Sequence, residues 1–378
     1  MNNKRHIHII SQENASIGEV TKDIVDGLKN DFVITEEFLG EIPKTKEILL
    51  CHYISPAIVE HECFKDFRYK VLIFPIDGTK LIQKYIDCLN QFDLIITPAH
   101  AGLRILKNNG VTTHIKVIPN FWKREHLEAP LKIKQKSLDK EIKDKFVFYY
   151  EANLYPRKGY EELLYNFTKE FSSNSFESEA VLLIKTDNSL KTYEYFEKLK
   201  EKIIEIQNQY VFPAKIVKIS QNLKFDDLKK IWHKIDCYVH PARIEGFGIP
   251  LLRMSVLNKP IIVLDNINSG YNDYLNFYPC CFKIFSHNVI ALNEVNKVYS
   301  ESSQWKIAEE ASFRETLRLV YQKYKAKEYN CEEKIQFFNF HYYIKDYLYE
   351  NIMKEYKKTF ESFESKNLFV ESKFISNE

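Results

Sequence analysis

Net charge is nearly absent from this chain: 54 lysines and arginines stand against 52 acids, which leaves +2. A broad electrostatic nucleic-acid surface is therefore not expected, because such domains are markedly basic. Paired cysteines are also missing. The seven present (Cys51, Cys63, Cys88, Cys237, Cys280, Cys281 and Cys331) are odd in number and scattered, with no C-x-x-C spacing. Neither a zinc site nor a disulfide framework is indicated, and reduced thiols are the plain reading. No apolar run approaches the roughly 18 residues that a membrane-spanning helix needs. The apolar run Ile7–Ile10 after Lys4 and Arg5 is too short for a signal peptide. The expectation is a cytoplasmic protein, at most peripheral at the inner face of a membrane. No G-x-G-x-x-G follows the first apolar run, which disfavours a nicotinamide dehydrogenase. Glycine itself is scarce, at ten residues in 378, yet two of the ten sit in one turn.

What is present is ample core material, with 45% hydrophobic residues, in a chain long enough for two domains of roughly 100–200 residues each. Short apolar runs alternate with longer amphipathic segments, the signal for βα units and a parallel sheet. In the first half strands are expected at 6–10, 48–51, 70–74, 94–97 and 116–118, with helices such as 19–28 and 101–108. The pattern breaks after Pro119-Asn120, where a Lys- and Glu-rich segment runs to Lys145. It resumes with strands at 146–150, 181–185, 215–219, 237–240, 261–264 and 281–284, and helices at 160–171 and 225–234. The last third reads as helical. Two doubly wound α/β domains facing a central cleft is the expected architecture, with ligands outside the carboxyl ends of the strands.

The most informative stretch is Tyr238–Arg253, where a strand runs into Glu245-Gly-Phe-Gly248 and Pro250 opens a helix. Proline suits a first helical turn because its φ is already helical and no amide hydrogen is wanted there. The two glycines let backbone approach a ligand closely. Free amides at the helix start, with the positive end of its dipole, suit a phosphate or a polar sugar. An earlier turn between strand and helix carries two adjacent cations, Arg157-Lys158-Gly159. Alone, such a pair is more often a solvated turn. Together the two turns make sense: one supplies charge for a diphosphate, the other amides and a carboxylate for the rest of the ligand. Pre-placed cations stabilise a leaving diphosphate most as its bond to a sugar breaks.

On these motifs the second half resembles the donor domain of family 4 retaining glycosyltransferases of the GT-B fold. Lys230–Leu252 matches that family's strongest signature almost position by position, and the R-K-G turn is followed by Val181-Leu-Leu-Ile-Lys-Thr186. Asn258-Lys-Pro-Ile-Ile-Val resembles the strand that follows. In the first half Phe92-Asp-Leu-Ile-Ile-Thr-Pro, Asn109-Gly-Val and Val117-Ile-Pro-Asn120 resemble the closing strands of the acceptor domain. Leu72–Thr79 looks like a weaker form of an acidic turn there, containing Asp77. The resemblance is firm over about residues 92–275.

The resemblance implies a GT-B fold of two Rossmann-like domains. Residues 1–122 would form the acceptor side and 123–339 the donor side. A C-terminal helix at about 340–362 would cross back onto the first domain, and 363–378 would be a polar tail. It implies transfer of a hexose from a nucleotide-sugar to a glycan or lipid-linked acceptor, with retention and without metal or other cofactor. Arg157 and Lys158 would hold the donor diphosphate, Glu245 the donor-sugar hydroxyls, and the Gly246, Phe247 and Gly248 amides, with Ile249 beside them, the sugar and distal phosphate. Gly18 and Asp77 would lie on the acceptor side. The family's E-x7-E motif is broken: its second glutamate, which usually grips the ribose, falls at Arg253. A carboxylate can accept from two ribose hydroxyls, whereas a guanidinium can only donate. Three readings stay open: a tolerated loss, a guanidinium that grips a phosphate or an unusual donor, or a non-catalytic partner that keeps the fold.

Other features have plainer explanations. His52, His100 and His240 lie near strand ends, and a satisfied structural role is the better reading of each. Asp226-Asp227 opens a helix and suits its dipole rather than a metal. The aromatics between Phe337 and Tyr356 fit a buried helix face, so packing is preferred over membrane contact. A GT-B epimerase lacks support, because no extra carboxylate or histidine cluster joins the donor motif.

Overall fold

The computed structural model describes residues 4–11, 15–36, 45–128, 136–187, 189–291, 298–326, 331–337 and 340–363. Its first sheet holds β1 (His6–Ile10), β2 (Val33–Glu36), β3 (Ile48–Cys51), β4 (Tyr69–Ile73), β5 (Leu94–Thr97) and β6 (His114–Val117). They run parallel in the order β2-β1-β3-β4-β5-β6. Its second sheet holds β7 (Phe146–Glu151), β8 (Ala180–Lys185), β9 (Lys215–Ile219), β10 (Cys237–His240), β11 (Ile261–Leu264) and β12 (Cys281–Ile284). These are again parallel, in the order β12-β11-β10-β7-β8-β9.

Each sheet is covered on both faces, which is why its central strands read as unbroken apolar runs. Alternate residues of β7 show this: Val147 and Tyr149 enter one core cluster, while Phe146, Phe148 and Tyr150 enter another. The first sheet divides the same way, with Ile48 and Leu50 on one face and Leu49 and Cys51 on the other. One of its faces is closed by the helix Tyr349–Ser362 through Ile352, Met353, Tyr356 and Phe360, which pack with Ile7, Ile9 and Val20. The chain crosses between the two bodies beside Trp122, whose indole Nε1 donates to the Ile344 carbonyl at 2.9 Å.

Several expectations are corrected here. The region after β12 is not wholly helical, because β13 (Ser286–Ile290) and β14 (Gln304–Ala308) form an antiparallel hairpin. Its strands mix polar with apolar residues and most positions are half-exposed or exposed, with Trp305 alone buried, so no apolar run announced it. The short edge strand β2 was hidden for the same reason. The first helix starts at Ala15 rather than Glu19, so Gly18 lies inside a helical turn. The Lys- and Glu-rich connection contains a helix, Lys136–Ile142, with Leu138 and Ile142 buried in the second core. Cys280 and Cys331 are joined in a disulfide, contrary to the expectation of reduced thiols; they lie 51 residues apart, so local spacing could not reveal the pair. The expected polar tail over 363–378 begins one residue too early, because Phe363 is buried and stacked on Tyr69, and the rest of it lies outside the described residues. Among the described residues no helix is long and apolar enough to cross a membrane.

Candidate active site

In the second sheet β7 has β8 on one side and β10 on the other, so the order of strands reverses between β7 and β10. Loops leaving the carboxyl ends of two such strands diverge and leave a crevice at the switch point. The turn after β7 carries Arg157-Lys158-Gly159, and the loop after β10 carries Glu245–Gly248. Both turns named from the sequence thus flank the same crevice.

They are also interlocked. Pro156–Lys158 forms a single 3₁₀ turn that ends on Gly159, with φ +67°, and Gly159 then starts the helix Tyr160–Phe171. A Cβ at Gly159 would lie 2.0 Å from the Pro241 carbonyl oxygen, so only glycine lets the two turns approach this closely. The Arg243 amide donates to the Arg157 carbonyl at 2.8 Å, and Arg157 Nη1 donates to the Ile244 carbonyl at 2.9 Å. Gly248, with φ +87°, starts the helix Ile249–Val256, with Pro250 in its first turn. The Tyr274 hydroxyl ties this loop down by donating to the Phe247 and Gly248 carbonyls.

At the centre lies the Glu245 carboxylate, with 13% of its side chain exposed. Its Oε2 is 2.5 Å from Lys158 Nζ, 3.2 Å from His240 Nε2 and 3.7 Å from Arg157 Nη1. Burial alone would lift this carboxyl, but Lys158, the His240 hydrogen bond and Arg157 outweigh it and hold it well below its ordinary value. Burial lowers the His240 imidazole despite Glu245. The ring is then neutral near pH 7, and its Nε2–H donates to the carboxylate. For Arg157, burial opposes the charge, yet Asp77 and Glu245 raise its value and keep it cationic. Arg157, Lys158 and Glu245 therefore form one charged cluster at the mouth of the crevice.

Asp77 joins it from the other domain. Its Oδ2 is 3.1 Å from Arg157 Nη2, and its Oδ1 accepts the Gly246 amide at 2.8 Å. The carboxylate therefore lies against Arg157 and Gly246 of the second domain rather than apart from them. Among the described residues the amides of Phe247 and Gly248 donate to no protein group. The Phe247 ring is buried against Tyr274 and Tyr347, and Ile249 packs partly buried against the cores of both domains. These two side chains hold the loop in shape.

Arg253 stands apart from the charged cluster. Its guanidinium lies 5.5 Å from the centre of the Trp232 ring, with Nη2 3.9 Å from Glu19 of the first domain. Its Nε is buried without a hydrogen-bond partner. Trp232 Nε1 in turn donates to Glu151 Oε2 at 2.8 Å, and so does the Tyr149 hydroxyl. Gly18 is next to Glu19, so the first turn of that helix faces Arg253 across the cleft.

Two residues in the site, Ser269 and Tyr299, escaped the sequence reading, and His240 is read there only as a satisfied structural histidine. His240 is satisfied, as a structural histidine would be, but its partner is Glu245; the signal was the loop that leaves β10 at 240 and returns at 245. Ser269 accepts the Glu245 amide at 3.1 Å, and Tyr299 accepts the Asp77 amide at 2.7 Å. Their separations of 24 and 222 residues left no local trace. His52 is bonded by the Thr21 hydroxyl and His100 by Asp273, and neither contacts Arg157, Lys158 or Glu245 by a hydrogen bond or ion pair among the described residues.

Among the solved structures, three share this fold over their whole length. The UDP-forming α,α-trehalose-phosphate synthase of Burkholderia vietnamiensis superposes with a TM-score of 0.71 at 8% identity, covering 97% of this chain and 100% of its own. Anabaena Alr3699/HepE, solved with UDP and glucose, gives 0.69 at 11% identity, with 95% and 100% covered. The corresponding synthase of Burkholderia xenovorans, solved with glucose-6-phosphate, gives 0.68 at 8% identity, with 94% and 100% covered. No curated protein matches the sequence. The chain thus has the GT-B fold, and its residues 132–295 match the family model described as glycosyl transferases group 1.

Proposed function

We propose that this chain is a retaining, metal-independent glycosyltransferase of the family 4 type, moving a hexose from a nucleotide-sugar to a glycan or lipid-linked acceptor. The observation that carries the reading is the convergence of Arg157, Lys158 and Glu245 at the switch point between β7 and β10. Two cations there can neutralise a diphosphate as it leaves, and Glu245, held ionised, can accept hydroxyls of the donor sugar. The amides of Phe247 and Gly248, at the positive end of the helix Ile249–Val256, point to the sugar or distal phosphate. The match to group 1 glycosyl transferases over 132–295 and the UDP found in a structural neighbour support a nucleotide-sugar donor.

In the reaction the bond from the anomeric carbon to the diphosphate oxygen breaks while the acceptor hydroxyl attacks from the same face. The departing phosphate oxygen takes the acceptor proton, so no general base is required on the attacking side. Arg157 and Lys158 supply the positive charge that a metal would otherwise bring. Gly18, in the first domain, is assigned to the acceptor side; Asp77, of the same domain, reaches across to Arg157 and Gly246.

The test is a thermal-shift screen against nucleotides and nucleotide-sugars, followed by a transfer assay in saturating EDTA with the product anomer read by NMR. A bound ligand stabilises by RT ln(1 + [L]/Kd), so weak donors register at millimolar concentration. Stabilisation by one nucleotide class and a product of unchanged anomeric configuration in EDTA are expected. Loss of transfer in EDTA, restored by magnesium or manganese, would refute the charge assignment.

A further inference from the structure

Asp77 belongs to the first domain, yet both its carboxylate oxygens are engaged on the second. One accepts the Gly246 amide at 2.8 Å and the other pairs with the Arg157 guanidinium at 3.1 Å. These are the kinds of donor, a guanidinium and a glycine-loop amide, that an oxyanion of a diphosphate-linked sugar would take. The four charges at the crevice are balanced, with Arg157 and Lys158 against Asp77 and Glu245.

The loop bearing Asp77 is itself clasped by the second domain. The Asp77 amide donates to the Tyr299 hydroxyl at 2.7 Å, and Gly78 lies so close to the Tyr299 ring that a Cβ would meet it at 2.5 Å. Thr79 exchanges hydrogen bonds with the same strap, donating its amide to Ser303 Oγ at 3.0 Å and accepting from the Gln304 amide at 2.8 Å. The Ser300 amide donates to the Lys80 carbonyl at 2.9 Å.

We propose that Asp77 is an internal stand-in for the ligand's anionic group, and that its release from Arg157 and Gly246 sets the affinity for the diphosphate. The inference rests on the donor-site reading above. A diphosphate brought to Arg157 adds at least two negative charges beside a carboxylate already in place, and like charges at contact repel strongly. The diphosphate therefore takes Arg157 only as Asp77 lets go. Apparent affinity is the intrinsic affinity reduced by the fraction of molecules with the clasp open, so weakening the clasp tightens binding. A residue that only braced the fold would behave in the opposite way.

The experiment is calorimetric titration of the full chain with inorganic pyrophosphate and, separately, with the nucleoside diphosphates UDP, GDP and ADP. Asp77→Asn keeps the side chain's size and its acceptor oxygen but removes the charge; it is expected to bind pyrophosphate about tenfold tighter than wild type. In an Arg157→Ala background the same change should give no gain. Tyr299→Phe, which loosens the strap without touching either oxyanion donor, should tighten binding by about threefold and serves if Asp77→Asn does not fold. Equal or weaker pyrophosphate binding in both variants, or no binding by any form, overturns the proposal. Pyrophosphate behaving as expected while no nucleoside diphosphate binds would leave the clasp standing and remove the transferase reading.

Discussion

Replacing Lys158 by alanine separates two consequences of one contact. Lys158 Nζ lies 2.5 Å from Glu245 Oε2 and Arg157 Nη1 lies 3.7 Å from it. At an effective dielectric of about 20 these distances give attractions of roughly 7 and 4 kcal/mol. Arg157 therefore retains more than half as much Coulombic support for the carboxylate once the lysine is gone. Stranding a buried charge outright costs about 3–5 kcal/mol; with Arg157 and His240 still in place, about 2–3 kcal/mol is expected. Turnover should fall for a different reason. The lysine's charge is used most when the diphosphate departs, and its loss should cost about 3 kcal/mol of transition-state stabilisation, about a hundredfold in rate. The double variant Lys158→Ala/Glu245→Gln removes the stranded charge, so it should regain most of the stability and none of the turnover. Thermal unfolding by circular dichroism, run beside a transfer assay with the donor found in the screen, reads both quantities. A double variant that recovered turnover along with stability would refute the assignment of Lys158 to the leaving group.

Two further outcomes follow from the same geometry. Arg253 lies on Trp232, away from the Arg157–Lys158 pair, so we expect Arg253→Glu to add a ribose acceptor and raise nucleotide affinity about tenfold, as a charge-assisted hydrogen bond would; a fall on titration would show that Arg253 holds a phosphate. Burial pushes the His52 imidazole down to about 4, and burial, with Arg253, Lys123 and Lys229, pushes His126 down to about 3. Both rings are neutral in the folded chain and protonate more readily unfolded. Their contribution is therefore complete above about pH 6.5 and is lost as pH falls toward those values, by about 2 kcal/mol each at pH 5. Unfolding midpoints should drop between pH 7 and 5, and a flat profile would contradict the burial of these rings.

The strands that could be read from sequence are those buried on both faces. Ile48–Cys51, Leu94–Thr97, Cys237–His240 and Ile261–Leu264 are buried at every position, so each appears as an apolar run bounded by turns. The two elements that escaped lie at margins. β2 is an edge strand exposed at both ends, and the β13–β14 hairpin packs only a small cluster around Ile244, Ala291 and Trp305. The turns after β7 and β10 were legible because backbone geometry forces glycine at 159 and 248. The contacts between domains were not legible. Asp77 reaches Gly246 across 169 residues of sequence, and Tyr299 reaches Asp77 across 222. Such a pairing is fixed only when two finished sheets meet.

The central claim is that the turns after β7 and β10 form one diphosphate-binding site. Calorimetric titration of wild type and of the Arg157→Ala/Lys158→Ala variant with the best nucleoside diphosphate from the screen tests it directly. The account predicts saturable one-to-one binding by the wild type and a loss of a hundredfold or more in the variant, about 3 kcal/mol, with the fold intact by circular dichroism. Equal affinity in the two proteins would contradict it.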